Sequence, residues 1–160
     1  MKTQNEKQFQ LPKEFAENWI KDLKNGKFKQ TRNKLFDSNC NGYCCLGVAL
    51  TPYFTEEQIK EGARNTENGI PIHIIDWYEE NNNVTIPSDF PEALIDVSDY
   101  NLGYILTSLN DGFDVARYNN LIKKKINFPF KVNFTDCEDD LFCCNFNQIA
   151  DFIEANVEFV

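Results

Sequence analysis

Between residues 12 and 23 the apolar positions Phe15, Trp19, Ile20 and Leu23 recur at helical spacing. Pro12 suits a first turn, and Gly26 suits the residue just past a helix end. This predicts an amphipathic opening helix. Residues 28–30 and 34–37 read as short extended pieces, and Asn41-Gly42 is a two-residue hairpin signal that would pair residues 35–38 with those after Gly42. The run 44–50 is continuously apolar and stops before Pro52, which predicts a short buried helix. Thr55 can cap the next helix, with Glu56 and Glu57 in its first turn and its end near Gly62. Residues 64–69 read as a turn or loop. Pro71 opens a further helix through Ile72, Ile75 and Tyr78 to Glu80, where Asn81-Asn82-Asn83 stops it.

The second half is patterned less evenly. Residues 84–86 suit a short strand before the proline-bounded loop 87–91, and 102–110 read as a helix with Ile105, Leu106 and Leu109 inward and Gly112 past its end. Residues 113–144 carry a helix pattern at 115–124 and strand patterns at 128–134 and 141–144, and read as an insertion or excursion from the core. Asn145 caps a last helix in which Phe146, Ile149, Ala150 and Ile153 share one face. The sum is a compact α+β domain over residues 1–160, with several amphipathic helices packed against a small antiparallel sheet or hairpin.

Composition supports one core. The 160 residues are 42% apolar and include 14 Phe, far richer than a disordered chain, and enough to bury a core without disulfide or metal staples. No apolar run approaches the length of about 18 residues that a membrane span requires, and the first twelve residues are polar rather than signal-like. The expectation is a cytoplasmic protein in a reducing compartment, with its six Cys as thiols. Charge is uneven: residues 1–34 hold nine Lys/Arg and four Asp/Glu, a local +5, which leaves −14 on the remainder of a chain whose net charge is −9. A basic first helix docked on an acidic body follows, and duplex nucleic acid is excluded as a general partner.

Several residues carry potential chemistry. Cys40, Cys44 and Cys45 are echoed by Cys137, Cys143 and Cys144, but the spacings fit a structural zinc site poorly, so no metal or cofactor is expected. A thiolate enzyme would need Cys44 or Cys45 activated by His73, the only His. Phosphate-binding glycine motifs are absent. A basic strip holds Lys29 and Arg32 with Gln30 between them, and Asn110 and Asp111 end an apolar helix. Together these five residues are the candidate contacts for a small anionic ligand.

Trp19, then Gly26-Lys27-Phe28-Lys29-Gln30, Tyr43-Cys44-Cys45-Leu46-Gly47, Leu106-Thr107-Ser108-Leu109-Asn110-Asp111 and the Phe146–Glu154 helix pattern occur in an order that resembles small, functionally uncharacterised proteins encoded by bacteriophages and prophages. The resemblance implies an accessory protein acting in the host cytoplasm. It suggests a non-catalytic binder that sequesters a nucleotide-type signal or other small ligand of the host, with a homo-oligomer left open. The alternatives are a cysteine-dependent hydrolase or transferase and an acidic inhibitor of a host protein.

Overall fold

The computed structural model describes residues 7–65, 69–81, 84–95, 98, 100–134 and 140–160. Helix α1 (Lys13–Lys24) follows Pro12 and buries Ala16, Trp19, Ile20 and Leu23. Glu14 in its first turn and Lys21 and Lys24 in its last complement the helix dipole. Gly26 then reverses the chain at φ 76°, a conformation that costs a residue with a Cβ. Helix α7 (Phe146–Asn156) packs on α1, and Lys24 Nζ lies 3.1 Å from Asp151 and 3.2 Å from Glu154. The first helix is not itself basic, since Lys13, Lys21 and Lys24 are balanced by Glu14, Glu17 and Asp22; only its Lys24 end meets acidic residues of α7. These partners are half exposed, so each pair contributes at most about 1 kcal/mol, and the apolar contact beneath them does more. Strands β1 (Phe9–Leu11) and β6 (Val157–Phe159) pair in parallel beside this helix pair, an element that the sequence pattern does not reveal.

The second sheet has the order β2-β4-β3-β5, from β2 (Lys29–Gln30), β3 (Lys34–Asp37), β4 (Gly42–Tyr43) and β5 (Ile70–Pro71). The predicted hairpin is present as β3 and β4, with Phe36 opposite Tyr43, but its turn is not two residues long. Residues 38–41 connect the strands, Asn41 takes the positive φ of 53°, and Gly42 is already strand. Gly42 is needed there because a Cβ would lie 2.8 Å from the Thr31 Cβ. The sheet is mixed, since β2 runs parallel to β4. Pro71 pairs in β5 instead of opening a helix. The missing proline N–H is harmless at such a sheet edge, and α4 (Ile74–Glu80) begins after His73.

Helix α2 (Cys45–Leu50) is buried along its whole length. Helix α3 (Glu56–Asn65) starts with a reciprocal cap in which Thr55 Oγ1 accepts from the Gln58 N–H and Gln58 Oε1 accepts from the Thr55 N–H. It runs through Arg64 and Asn65, where the pattern predicts loop, because Ile59 and Ala63 keep its buried face going past Gly62. Residues 66–68, 82–83 and 135–139, within the predicted loop, stop and insertion, lie outside the described residues. Residues 84–86 form no strand; Val84 and Ile86 pack on the core as a connecting segment.

Helix α5 (Leu102–Asp111) buries Ile105, Leu106 and Leu109, as its spacing predicts, and Gly112 ends it at φ 119°. Helix α6 (Val115–Lys123) follows, capped by the Asp114 carboxylate. The strands expected at 128–134 and 141–144 are absent; one bridge pairs Phe113 with Phe142. Pro129 interrupts the first stretch. Its rings gather around Phe113 instead of alternating between two faces, and Phe128 reaches Phe152 of α7 at 5.5 Å. The result is one compact α+β domain, and no helix among the described residues is long and apolar enough to cross a membrane.

Candidate functional site

Three of the five residues nominated for an anion converge, but on one another. Asn110 is fully buried at the end of α5 and uses both ends of its amide. Its Oδ1 accepts from Gln30 Nε2 at 2.9 Å and from the Cys45 N–H at 3.2 Å, while its Nδ2 donates to Thr31 O at 2.8 Å and Asp111 Oδ1 at 3.0 Å. Gln30 also donates to Cys144 O, and Asp111 Oδ1 accepts from the Asn33 N–H. This polar knot joins β2, α2, α5 and the lead-in to α7. Burial raises the pKa of Asp111, opposed by these hydrogen bonds and by the charges of Arg32 and His73. Lys29 and Arg32 stay exposed outside the knot. Of the five, they alone keep their polar heads for a solvent anion.

The cysteine reading meets a physical obstacle. Cys44 is the N-cap of α2, where its Sγ accepts from the Gly47 N–H at 3.4 Å, and burial pushes its thiol up to about 12. Cys45 is fully buried, donates its S–H to Leu106 O, and has its pKa raised by burial and then by the neighbouring Cys44 and Asp111 charges. The hydrogen bonds of both thiols are to backbone, at Gly47 and Leu106, and neither is to His73. A nucleophile needs thiolate character, and these positions suppress it. Among the described residues no group of three His, Cys, Asp or Glu side chains is placed to hold a metal ion; Cys137 lies outside them. Among the five described cysteines, native protein treated with iodoacetamide near neutral pH should therefore alkylate only at the half-buried Cys40 and Cys143, with Cys44, Cys45 and Cys144 silent until denaturation. Peptide mass spectrometry reads this, and fast labelling of Cys44 or Cys45 would restore the thiolate enzyme.

A different concavity is not signalled by any sequence motif. A cleft of about 800 Å³ runs between α1, the turn after α2 and the loop 88–91. Phe15, Trp19, Tyr53 and Phe90 form its apolar wall. Phe15 meets Phe90 edge to face at 5.7 Å, and Tyr53 meets Phe90 at 5.4 Å. Glu14, Asp22 and Asp89 line the same space, as does Asn18. Burial raises the pKa of Tyr53, helped by the charge of Asp89, so its hydroxyl remains a neutral donor. Behind it, Tyr78 is buried with its hydroxyl lacking any hydrogen-bond partner among the described residues, and burial raises its pKa strongly. A second hollow of about 330 Å³, which includes Lys27 and Phe28, shares Asp22 and Pro52 with the cleft. None of the residues nominated from the sequence lines either space. The only sequence trace is the i, i+4, i+8 spacing of Glu14, Asn18 and Asp22 beside Phe15 and Trp19, which any solvated helix edge also shows.

A family model described as a domain of unknown function, DUF8296, matches residues 11–157. No curated protein and no solved structure matches the chain.

Proposed function

We propose that this chain, which belongs to the DUF8296 family and inherits no assigned activity from it, is a non-catalytic binding protein. In the phage setting that the sequence resemblance suggests, it would act by holding a host component rather than transforming it. The observation that carries this reading is the aromatic cleft of about 800 Å³, a size typical of ligand sites, lined by neither Cys nor His. The suppressed thiols of Cys44 and Cys45 support it from the other side.

The anionic-ligand version of the reading is left to Lys29 and Arg32, because Gln30, Asn110 and Asp111 are committed to the knot. Three carboxylates in the cleft itself oppose a phosphate there. Chemical-shift mapping with a set of aromatic amines, phenols, carboxylates and a nucleotide separates the cases. Shifts should gather on Phe15, Trp19, Tyr53 and Phe90, and every probe should be recovered unchanged. Shifts gathered on Lys29 and Arg32 by the nucleotide, abolished in Arg32→Ala, would move the site to the strip. Turnover of a probe would overturn the non-catalytic reading.

A further inference from the structure

We infer that the cleft receives an extended, lysine- or arginine-bearing segment of a partner protein; this rests on the binding reading and adds the ligand class. The first support is charge. Glu14, Asp22 and Asp89 face one space with no Lys or Arg among its lining residues. Among the described residues none of these carboxylates is held by an ion pair, and Asp22 is half-buried. Three carboxylates on one concave space, with no cation among its lining residues, bias the cleft toward negative potential.

The second support is the wall. Phe15 and Tyr53, half-buried with Phe90 packed against them, offer ring surface beside these carboxylates, the combination that attracts a cation through both charge and the π face. The adjoining hollow already shows the chemistry in miniature, because Lys27 Nζ sits 5.4 Å from the centre of the Phe28 ring there. The third support is length. From Pro12 to Asp22 the cleft follows α1 for about 15 Å at 1.5 Å per residue. A single amine would fill only one end of it, and the second hollow, where Lys27 places a like charge beyond Asp22, bounds the cationic track. About five residues of extended chain span that distance.

The test uses a blocked peptide of about six alternating Lys and Ser residues, its Glu-Ser counterpart, and phenol as a neutral ring probe, each titrated by calorimetry and mapped by chemical shifts. The Lys peptide should bind in the cleft, weaken roughly tenfold or more in Asp22→Asn/Asp89→Asn, and weaken again as salt rises to about 0.5 M. The Glu peptide should not bind. Glu57→Gln/Glu79→Gln removes the same charge from exposed positions outside the cleft and should leave binding unchanged. Equal loss in both double variants, or undiminished binding in Asp22→Asn/Asp89→Asn, would overturn the inference. Phenol seated against Phe15 and Tyr53 without Lys-peptide binding would overturn the cationic class and leave the cleft standing. Failure of every probe to shift the cleft would remove both.

Discussion

Asn110→Leu should lower the unfolding free energy by about 3 kcal/mol, read from urea denaturation, although leucine keeps the branched outline of the amide. The native amide takes two donors and supplies two, and leucine replaces none of these bonds. Gln30 keeps its second acceptor, Cys144 O, but the Cys45 N–H and Thr31 O are left without the Asn110 amide at a buried junction. Each buried group left unsatisfied costs about 1–3 kcal/mol. Asn110→Asp gives a sharper version. It would set a second carboxylate beside Asp111, whose pKa is already raised by burial. A carboxylate with a raised folded pKa makes the folded state bind protons more readily than the unfolded one. Stability must then fall as pH rises through that window. The loss in Asn110→Asp should therefore be largest near neutral pH and shrink on acidification, whereas the loss in Asn110→Leu should persist. An Asn110→Leu midpoint equal to that of the parent would mean that the knot does not hold the four elements together.

This knot also shows where the sequence is readable and where it is not. The Leu-Asn-Asp and Tyr-Cys-Cys pieces lie far apart in the sequence, yet in the structure Asn110 bonds the Cys45 backbone across 65 positions. What the sequence does not distinguish is a polar side chain kept to satisfy buried backbone from one kept for a ligand, because both need the same donors and acceptors. The helices are legible where period and caps agree, as in α1, α5 and α7, whose buried face and reciprocal Asn145–Gln148 cap match the pattern. The strands are not. Elements such as β2, β4 and β5 are too short to display a period of two, and β1 pairs with β6 from the opposite end of the described chain.

The cleft is illegible for a related reason. Phe15 and Trp19 read correctly as the apolar face of α1, and nothing in that periodicity says that Phe15 stays half-buried while Trp19 goes under. The wall is completed only by Tyr53 and Phe90, which come from irregular segments whose placement depends on the tertiary fold. Trp19 links the two regions: its Nε1 donates to Cys45 O at 2.9 Å, so the cleft floor is pinned to the same α2 start that Asn110 holds. Weakening the knot should then loosen the cleft, and binding should be compared only among variants with parental unfolding midpoints.

Gly47→Ala should be the most damaging conservative change in the chain, although alanine is about 1 kcal/mol better than glycine inside a helix. A Cβ at Gly47 would overlap Leu35 O and lie 2.9 Å from Leu35 C. Both are backbone atoms of β3 and cannot rotate away. Relief requires α2 to lift from the sheet, which would strain the Cys44 N–H bond to the same Leu35 O at 3.1 Å and loosen Cys45 from Asn110. Overpacking of a core costs about 1–3 kcal/mol when side chains can yield. With backbone on the far side, the net loss should exceed about 3 kcal/mol, visible as a large fall in the urea midpoint or as insoluble protein. Each residue of Tyr43-Cys44-Cys45-Leu46-Gly47 then serves the packing. Tyr43 pairs in β4, Cys44 caps, Cys45 and Leu46 fill the core, and Gly47 lets the helix touch the strand. If Gly47→Ala instead leaves the midpoint unchanged, α2 is not seated on Leu35, and the glycine that closes this motif would need a role outside packing.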